Sequence, residues 1–199
     1  MALTDKSYYT GEIDLSINSI NETDFNAFVE IIEKRYLILL LGYDLYKSYV
    51  AGITASTQKY IDLRDGKEYT TTDGEGRTVY CKWEGLADML KYFVYYEWQR
   101  AKKTIHSSGG EKYPKDENSN NADPVIFNSK LVNAYNIGID KYGYDIEKNN
   151  YYNRYYKDYY KEIIKGTAYN YIYIMNENED NYYPNWNFTD IYYINTLGI

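Results

Sequence analysis

Trp83-Glu-Gly-Leu-Ala-Asp-Met-Leu-Lys-Tyr-Phe-Val-Tyr-Tyr-Glu-Trp98 is the stretch on which the reading of this chain turns. Leu86, Leu90, Phe93, Val94 and Trp98 recur on one face at helical spacing, and Met89, Tyr92 and Tyr96 widen that face. So broad an apolar surface predicts a central helix, Trp83 to Ala101, contacted from several sides. Immediately before it, Lys67-Glu68-Tyr69-Thr70-Thr71 and Arg77-Thr78-Val79-Tyr80-Cys81-Lys82 flank Asp73-Gly74-Glu75-Gly76. Thr-, Val- and Tyr-rich arms around an Asp-Gly turn predict a β-hairpin over 67–82.

Further upstream, Thr23 or Asp24 is a helix cap for Phe25, Phe28, Val29, Ile32, Tyr36, Leu39 and Leu40, and Gly42 is placed to end that helix. A shorter helix carrying Leu45, Tyr46, Tyr49 and Val50 runs to Gly52, and one Gly between two helices predicts a sharp corner. Thr57 can cap a brief third helix, Gln58 to Arg64, stopped by Asp65-Gly66. Residues 1–22 read as an irregular arm.

Downstream, 104–124 is a polar, linker-like loop, and helix resumes near Val125 with Leu131, Val132, Tyr135 and Ile139, stopping at Gly143. Tyr151, Tyr152, Tyr155, Tyr156, Tyr159 and Tyr160 then recur in pairs every four residues. Four residues advance a helix by about 400°, so the pairs form two tyrosine columns drifting about 40° per step. Tyr169 to Met175 is compatible with helix or strand. The last stretch, 182–199, is aromatic and irregular. With no evident place on its own domain, it reads as a docking strap whose anchors are Tyr182, Tyr183, Trp186, Phe188, Tyr192 and Tyr193. Such a strap would be needed for assembly and dispensable for folding. The expected fold is mainly α: a helical bundle, 23–181, with one β-hairpin insertion, an N-terminal arm and an extended C-terminal tail.

Composition narrows the function. The 199 residues carry a formal net charge of −7, which argues against a basic nucleic-acid reader. Leu, Ile, Val and Phe together number only 43, near the level at which chains fail to build a core, but 29 Tyr supply large apolar rings with a polar tip. One Cys (Cys81) and one His (His106) exclude a disulfide scaffold and a multi-Cys/His zinc site. Gly74-Glu75-Gly76 puts an acid where a phosphate cradle needs none. Asn176-Glu-Asn-Glu-Asp180 has alternating oxygen ligands but lacks the Gly and the closing Glu of a calcium loop. Asp62 with Asp65, and Glu177 with Glu179, are carboxylate pairs with no apolar pocket signal to raise a pKa, so a glycosidase reading stays speculative and a hydrolase would require two acids facing one pocket. No cofactor and no metal are expected. No basic, apolar leader and no 20-residue apolar span is visible, so a soluble, cytoplasmically made chain without membrane attachment is expected.

Three stretches carry a resemblance. Glu33-Lys-Arg-Tyr-Leu-Ile-Leu-Leu-Leu-Gly42-Tyr-Asp-Leu-Tyr-Lys47, then Asp62-Leu-Arg-Asp-Gly66-Lys-Glu-Tyr69, then the Trp83–Trp98 helix follow one another in an order that resembles the head–tail connector (adaptor, or ring) proteins of tailed bacteriophages, crass-like gut phages in particular. The match covers about residues 24–101, and Pro184-Asn-Trp186 and Leu197-Gly198-Ile199 are similar to that group as well. The resemblance implies a non-enzymatic virion protein: a homo-oligomeric ring of twelve copies beneath the portal, contacting the portal protein and the next tail component and continuing the channel through which DNA passes without specific binding. Acidic balance suits a channel that must not grip DNA. Rings also need two different patches per subunit, and the 151–164 columns and the 182–199 tail are the candidates. The competing reading is a binding module that stacks glycans or single-stranded nucleic acid on exposed tyrosines.

Overall fold

The computed structural model describes residues 2–15, 21–72, 76, 78–102, 105–107, 110–112, 124–143 and 171–178, and the single positions 183, 186, 191 and 194. Two 3₁₀ turns, Lys6–Tyr8 and Gly11–Ile13, lead into α1 (Glu22–Leu41), α2 (Tyr43–Thr54) and α3 (Gln58–Asp65). Strands β1 (Lys67–Thr72) and β2 (Thr78–Trp83) precede α4 (Leu86–Lys102), and a short β3 (Ile105–Ser107) and β4 (Gly110–Lys112) precede α5 (Pro124–Tyr142) and α6 (Tyr171–Asn178). The fold is mainly α with the expected hairpin, in which Lys67 pairs with Trp83 and Thr72 with Thr78.

The elements follow from local chemistry. Asn21, not Thr23 or Asp24, caps α1, its Oδ1 accepting from the Thr23 and Asp24 amides at 3.0 and 3.4 Å. Gly42 ends α1 at φ 73° while its amide donates to the Ile38 carbonyl, and the corner that follows is a single residue wide. Trp83 closes β2; it does not open α4. Its ring is buried, and its Nε1–H donates to the Leu63 carbonyl in the last turn of α3 at 3.0 Å. Two glycines make that junction possible. Gly66 and Gly85 sit at φ +93° and +98°, and a Cβ on either would lie 2.3 Å from the Trp83 carbonyl oxygen or 2.4 Å from that of Arg64.

The central helix is central: Leu86, Met89, Leu90, Phe93 and Val94 have no exposed surface. Tyr36 stacks on Phe93 with centroids 4.8 Å apart, and Phe93 in turn meets Tyr135 of α5 edge-on at 5.2 Å. Beside them, Lys141 bridges Glu84 and Asp88, and Lys91 closes on Asp88 at 2.5 Å, joining α5 to the start of α4.

Three expectations change. Residues 2–15 are no free arm: Thr4, Tyr9, Ile13 and Leu15 are buried, and the last three belong to the main core cluster. The 104–124 loop contains the β3–β4 pair, with His106 opposite Glu111. Tyr171–Asn178 is helical, which settles the 169–175 ambiguity for its described part and places Asn176 to Asn178 on a helix. No cluster of metal-ligating residues occurs among the described residues, and Glu179 and Asp180 lie outside them. No described helix is long and apolar enough to cross a membrane.

Candidate functional site

The tail residues expected to reach a neighbour include two that face inward. Tyr183 and Trp186 are 4% and 5% exposed. The Trp186 Nε1–H donates to the Leu40 carbonyl at 3.0 Å, and the Tyr171 hydroxyl donates to the same oxygen at 2.8 Å. Leu40 lies in the last turn of α1, where carbonyls lack intrahelical donors, so the two rings act as a C-terminal cap supplied from the far end of the chain. The Tyr183 hydroxyl donates to the Lys59 carbonyl at 2.9 Å. Asn136 and Ile194 exchange two hydrogen bonds, at 3.1 and 3.2 Å, fixing the tail along α5. The expectation that Tyr183 and Trp186 are intermolecular anchors is therefore corrected: both are core residues of this chain. Tyr151, Tyr152, Tyr155, Tyr156, Tyr159, Tyr160, Tyr182, Phe188, Tyr192 and Tyr193 lie outside the described residues.

A second locked segment sits at the opposite terminus. Glu33 has no exposed surface, and its carboxylate accepts from the Leu3 amide (2.5 Å), the Thr4 amide (2.9 Å) and the Thr4 hydroxyl (2.5 Å). The Thr4 hydroxyl also meets the Tyr9 hydroxyl at 2.9 Å. Burial pushes the Glu33 carboxyl above its ordinary value, and the hydrogen bonds from Thr4 and Leu3 only partly counter it. Sequence reasoning passed over this acid, although the signal was present. Position 33 falls four after Val29 and three before Tyr36, on the face that the apolar spacing assigns to the core.

The remaining acids are committed elsewhere. Asp62 accepts from Gln58 at 2.6 Å and Lys67 at 2.8 Å, and Asp65 pairs with Arg64 at 2.6 Å. Partial burial opposes the charge on Asp62, but Lys67 and Gln58 hold its carboxyl below the usual range. A general acid needs the opposite shift from the one that Asp62 shows. Several of the described aromatic rings carry a lysine. Lys47, Lys59, Lys91 and Lys102 lie over Tyr43, Tyr60, Tyr92 and Trp98 at 4.9, 4.8, 5.2 and 4.5 Å, so a base or sugar would have to displace a cation.

What does face outward is apolar surface on α1 and α2. Ile31 is 67% exposed, Tyr43 61%, Leu39 42% and Val50 37%. Ile31 and Val50 edge a groove of about 380 Å³ that Leu3, Leu37 and Ile53 also line, with Glu30 and Lys34 on α1 beside them. Leu39 and Ile38 edge a second, of about 700 Å³, with Tyr135, Ile191 and Ile194. At 100° per residue the two grooves lie roughly 130° apart around α1. The Tyr49 hydroxyl beside the first groove is buried and has no hydrogen-bond partner among the described residues.

No family model, curated protein or solved structure matches the chain.

Proposed function

We propose that this chain is a structural subunit of a head–tail connector, a ring beneath the portal of a tailed phage that joins head to tail and carries the DNA channel onward. The observation that carries the reading is the placement of the exposed apolar side chains. Ile31, Leu39, Tyr43 and Val50 all lie on α1 and α2, on both sides of the Gly42 corner and inside the stretch that resembles connector proteins. Exposed apolar clusters of this kind serve protein contacts, and two grooves facing different directions from one helix suit the heterologous contacts from which rings close. The net charge of −7 suits a lumen that releases DNA.

The reading makes the virion neck the site of action, the host cytoplasm the site of synthesis, and the portal and the next tail component the partners. Native mass spectrometry and electron microscopy of the full chain, alone and with the portal of its own capsid, test it. Closed rings of uniform copy number are expected, twelve by the resemblance. A chain that stays monomeric at high concentration with the portal present refutes the reading. Retention of that monomer on a polysaccharide or an oligonucleotide column at low salt would favour the stacking module instead.

A further inference from the structure

We infer that the groove between α1 and α2 is a socket for a partner polypeptide that presents an aliphatic side chain beside a carboxylate. This inference rests on the assembly reading above and names the chemistry that one of its contacts selects. The walls set the apolar half. Leu37 and Ile53 are buried at the groove, while Ile31 and Val50 stand at its edge, 67% and 37% exposed. The enclosed space is about 380 Å³. A small molecule lying inside it would leave the two edge residues in water. A chain crossing the groove covers floor and edges together, which is what an exposed apolar patch of this kind requires.

The polar groups set the other half. Glu30 and Lys34 are exposed on one edge of the groove, a helical turn apart on α1. Glu30 already has a partner within the chain. Lys34 makes no hydrogen bond or ion pair among the described residues, so its ammonium is the charge this groove leaves uncommitted. Tyr49 lines the groove as well, and its hydroxyl is buried and unmet among the described residues. A buried hydroxyl without a partner costs stability, and an incoming acceptor removes that cost. An ammonium can only donate and a phenol donates readily, so the complementary occupant brings oxygen acceptors, one of them anionic. A basic segment would instead set like charge against Lys34.

The test titrates the isotope-labelled full chain with three peptides blocked at both ends, Leu-Glu-Leu, Leu-Gln-Leu and Leu-Lys-Leu. It follows the methyl resonances of Ile31, Leu37, Val50 and Ile53. The acidic peptide shifts these methyls and binds about two- to five-fold more tightly than the glutamine peptide, the range of an exposed ion pair, with the lysine peptide weakest. Lys34→Gln erases the preference for the acid and leaves the fold unchanged. Tyr49→Phe keeps the ring, weakens the acidic peptide about two- to tenfold, and does not lower the unfolding midpoint, since the hydroxyl has no partner to lose. Equal binding of the three peptides, shifts confined to other methyls, or an acid preference that survives Lys34→Gln overturns the socket. Methyl shifts that track protein concentration without any peptide place a second copy in the groove and overturn it too. Closed rings on the portal, with a groove that ignores all three peptides, overturn the socket and leave the connector reading standing. Acid-selective binding by a chain that never joins the portal supports the socket and overturns the connector.

Discussion

Replacing Trp186 distinguishes a tail that holds its own subunit together from one that waits for a neighbour. The indole is 5% exposed, touches Tyr171 at 6.1 Å edge-on, and donates to the Leu40 carbonyl. Trp186→Ala removes a buried aromatic and should cost about 3–5 kcal/mol. The hydrogen-bond share of that loss is small, about 1 kcal/mol, because the Leu40 oxygen keeps the Tyr171 hydroxyl. Trp186→Phe and Tyr171→Phe should therefore each cost about 1–2 kcal/mol. The double variant leaves that carbonyl with neither aromatic donor, in a buried corner. Its cost should exceed the sum of the singles by a further 1–3 kcal/mol or so, a coupling that only a shared acceptor produces. Urea unfolding followed by far-ultraviolet circular dichroism reads all four proteins without relying on the fluorophore being removed. In thermal unfolding the alanine variant should melt about 6–20 °C lower for a chain of this size. An unchanged midpoint for Trp186→Ala, or strictly additive phenylalanine variants, would refute the shared cap and return the tail to the role of a free strap.

Four further outcomes follow from the structure. Glu33→Ala should cost about 2–4 kcal/mol, capped by detachment of residues 2–15, and hydrogen exchange should lose protection at Leu3 and Thr4 while α4 keeps its own; unaltered exchange at both amides would contradict the contact. Because burial raises the Glu33 carboxyl above 4.5, its ionised form is the one folding disfavours. Wild type should gain stability over Glu33→Gln as pH falls through the folded value and level off below 4.5, and a difference that shrinks on acidification would reverse the assignment. Asp88 behaves oppositely: burial opposes its charge, but Lys141 and Lys91 hold its carboxyl below 3.8, so its contribution is present above 3.8 and lost as pH falls through the lower folded value; Lys141→Met should flatten that acid limb in pH-dependent melts. Gly66→Ala and Gly85→Ala should each cost at least about 2 kcal/mol, since a Cβ would meet main-chain atoms that cannot swing away, and a melting temperature within a degree of wild type would show that the α3–β2 crossing is looser than described.

Where sequence reading succeeded, the signal was local. Gly42 and Gly66 stop helices because only the short range is involved, β1 pairs with the nearby β2, and the α4 face repeats within one helix. What escaped it depends on distance. Tyr171 and Trp186 find their acceptor at Leu40, more than 130 residues away, and no periodicity announces such a bond. The tail looked unpartnered because its apolar residues follow no helical or strand period, yet irregular backbone buries rings perfectly well when its polar atoms are met, as Asn136 meets both those of Ile194. Trp83 was misplaced by a few residues for a related reason. An apolar residue at a strand–helix boundary fits either pattern until its Nε1–H is seen to seek the Leu63 carbonyl.

The abundance of aromatics then has an explanation that does not need an interface. A Leu ends in methyls, whereas a Tyr or Trp spans from the core to a backbone oxygen and satisfies it there. Trp83 at Leu63, Tyr171 and Trp186 at Leu40, and Tyr183 at Lys59 are four instances, and each ties a helix carbonyl of α1 or α3 to a segment distant in sequence. A chain poor in Leu, Val and Phe can in this way join several short helices into one core, with caps standing in for layers of aliphatic packing. Among the described rings that reach the surface, Tyr43 and Tyr92 lie partly under Lys47 and Lys91. The case for assembly passes from the phenols to the aliphatic side chains left outside: Ile31, Leu39 and Val50 have no internal duty to explain them, and replacing Ile31 and Val50 by Ser should leave folding within about 0.5 kcal/mol of wild type, as exposed positions do, while abolishing rings in native mass spectra.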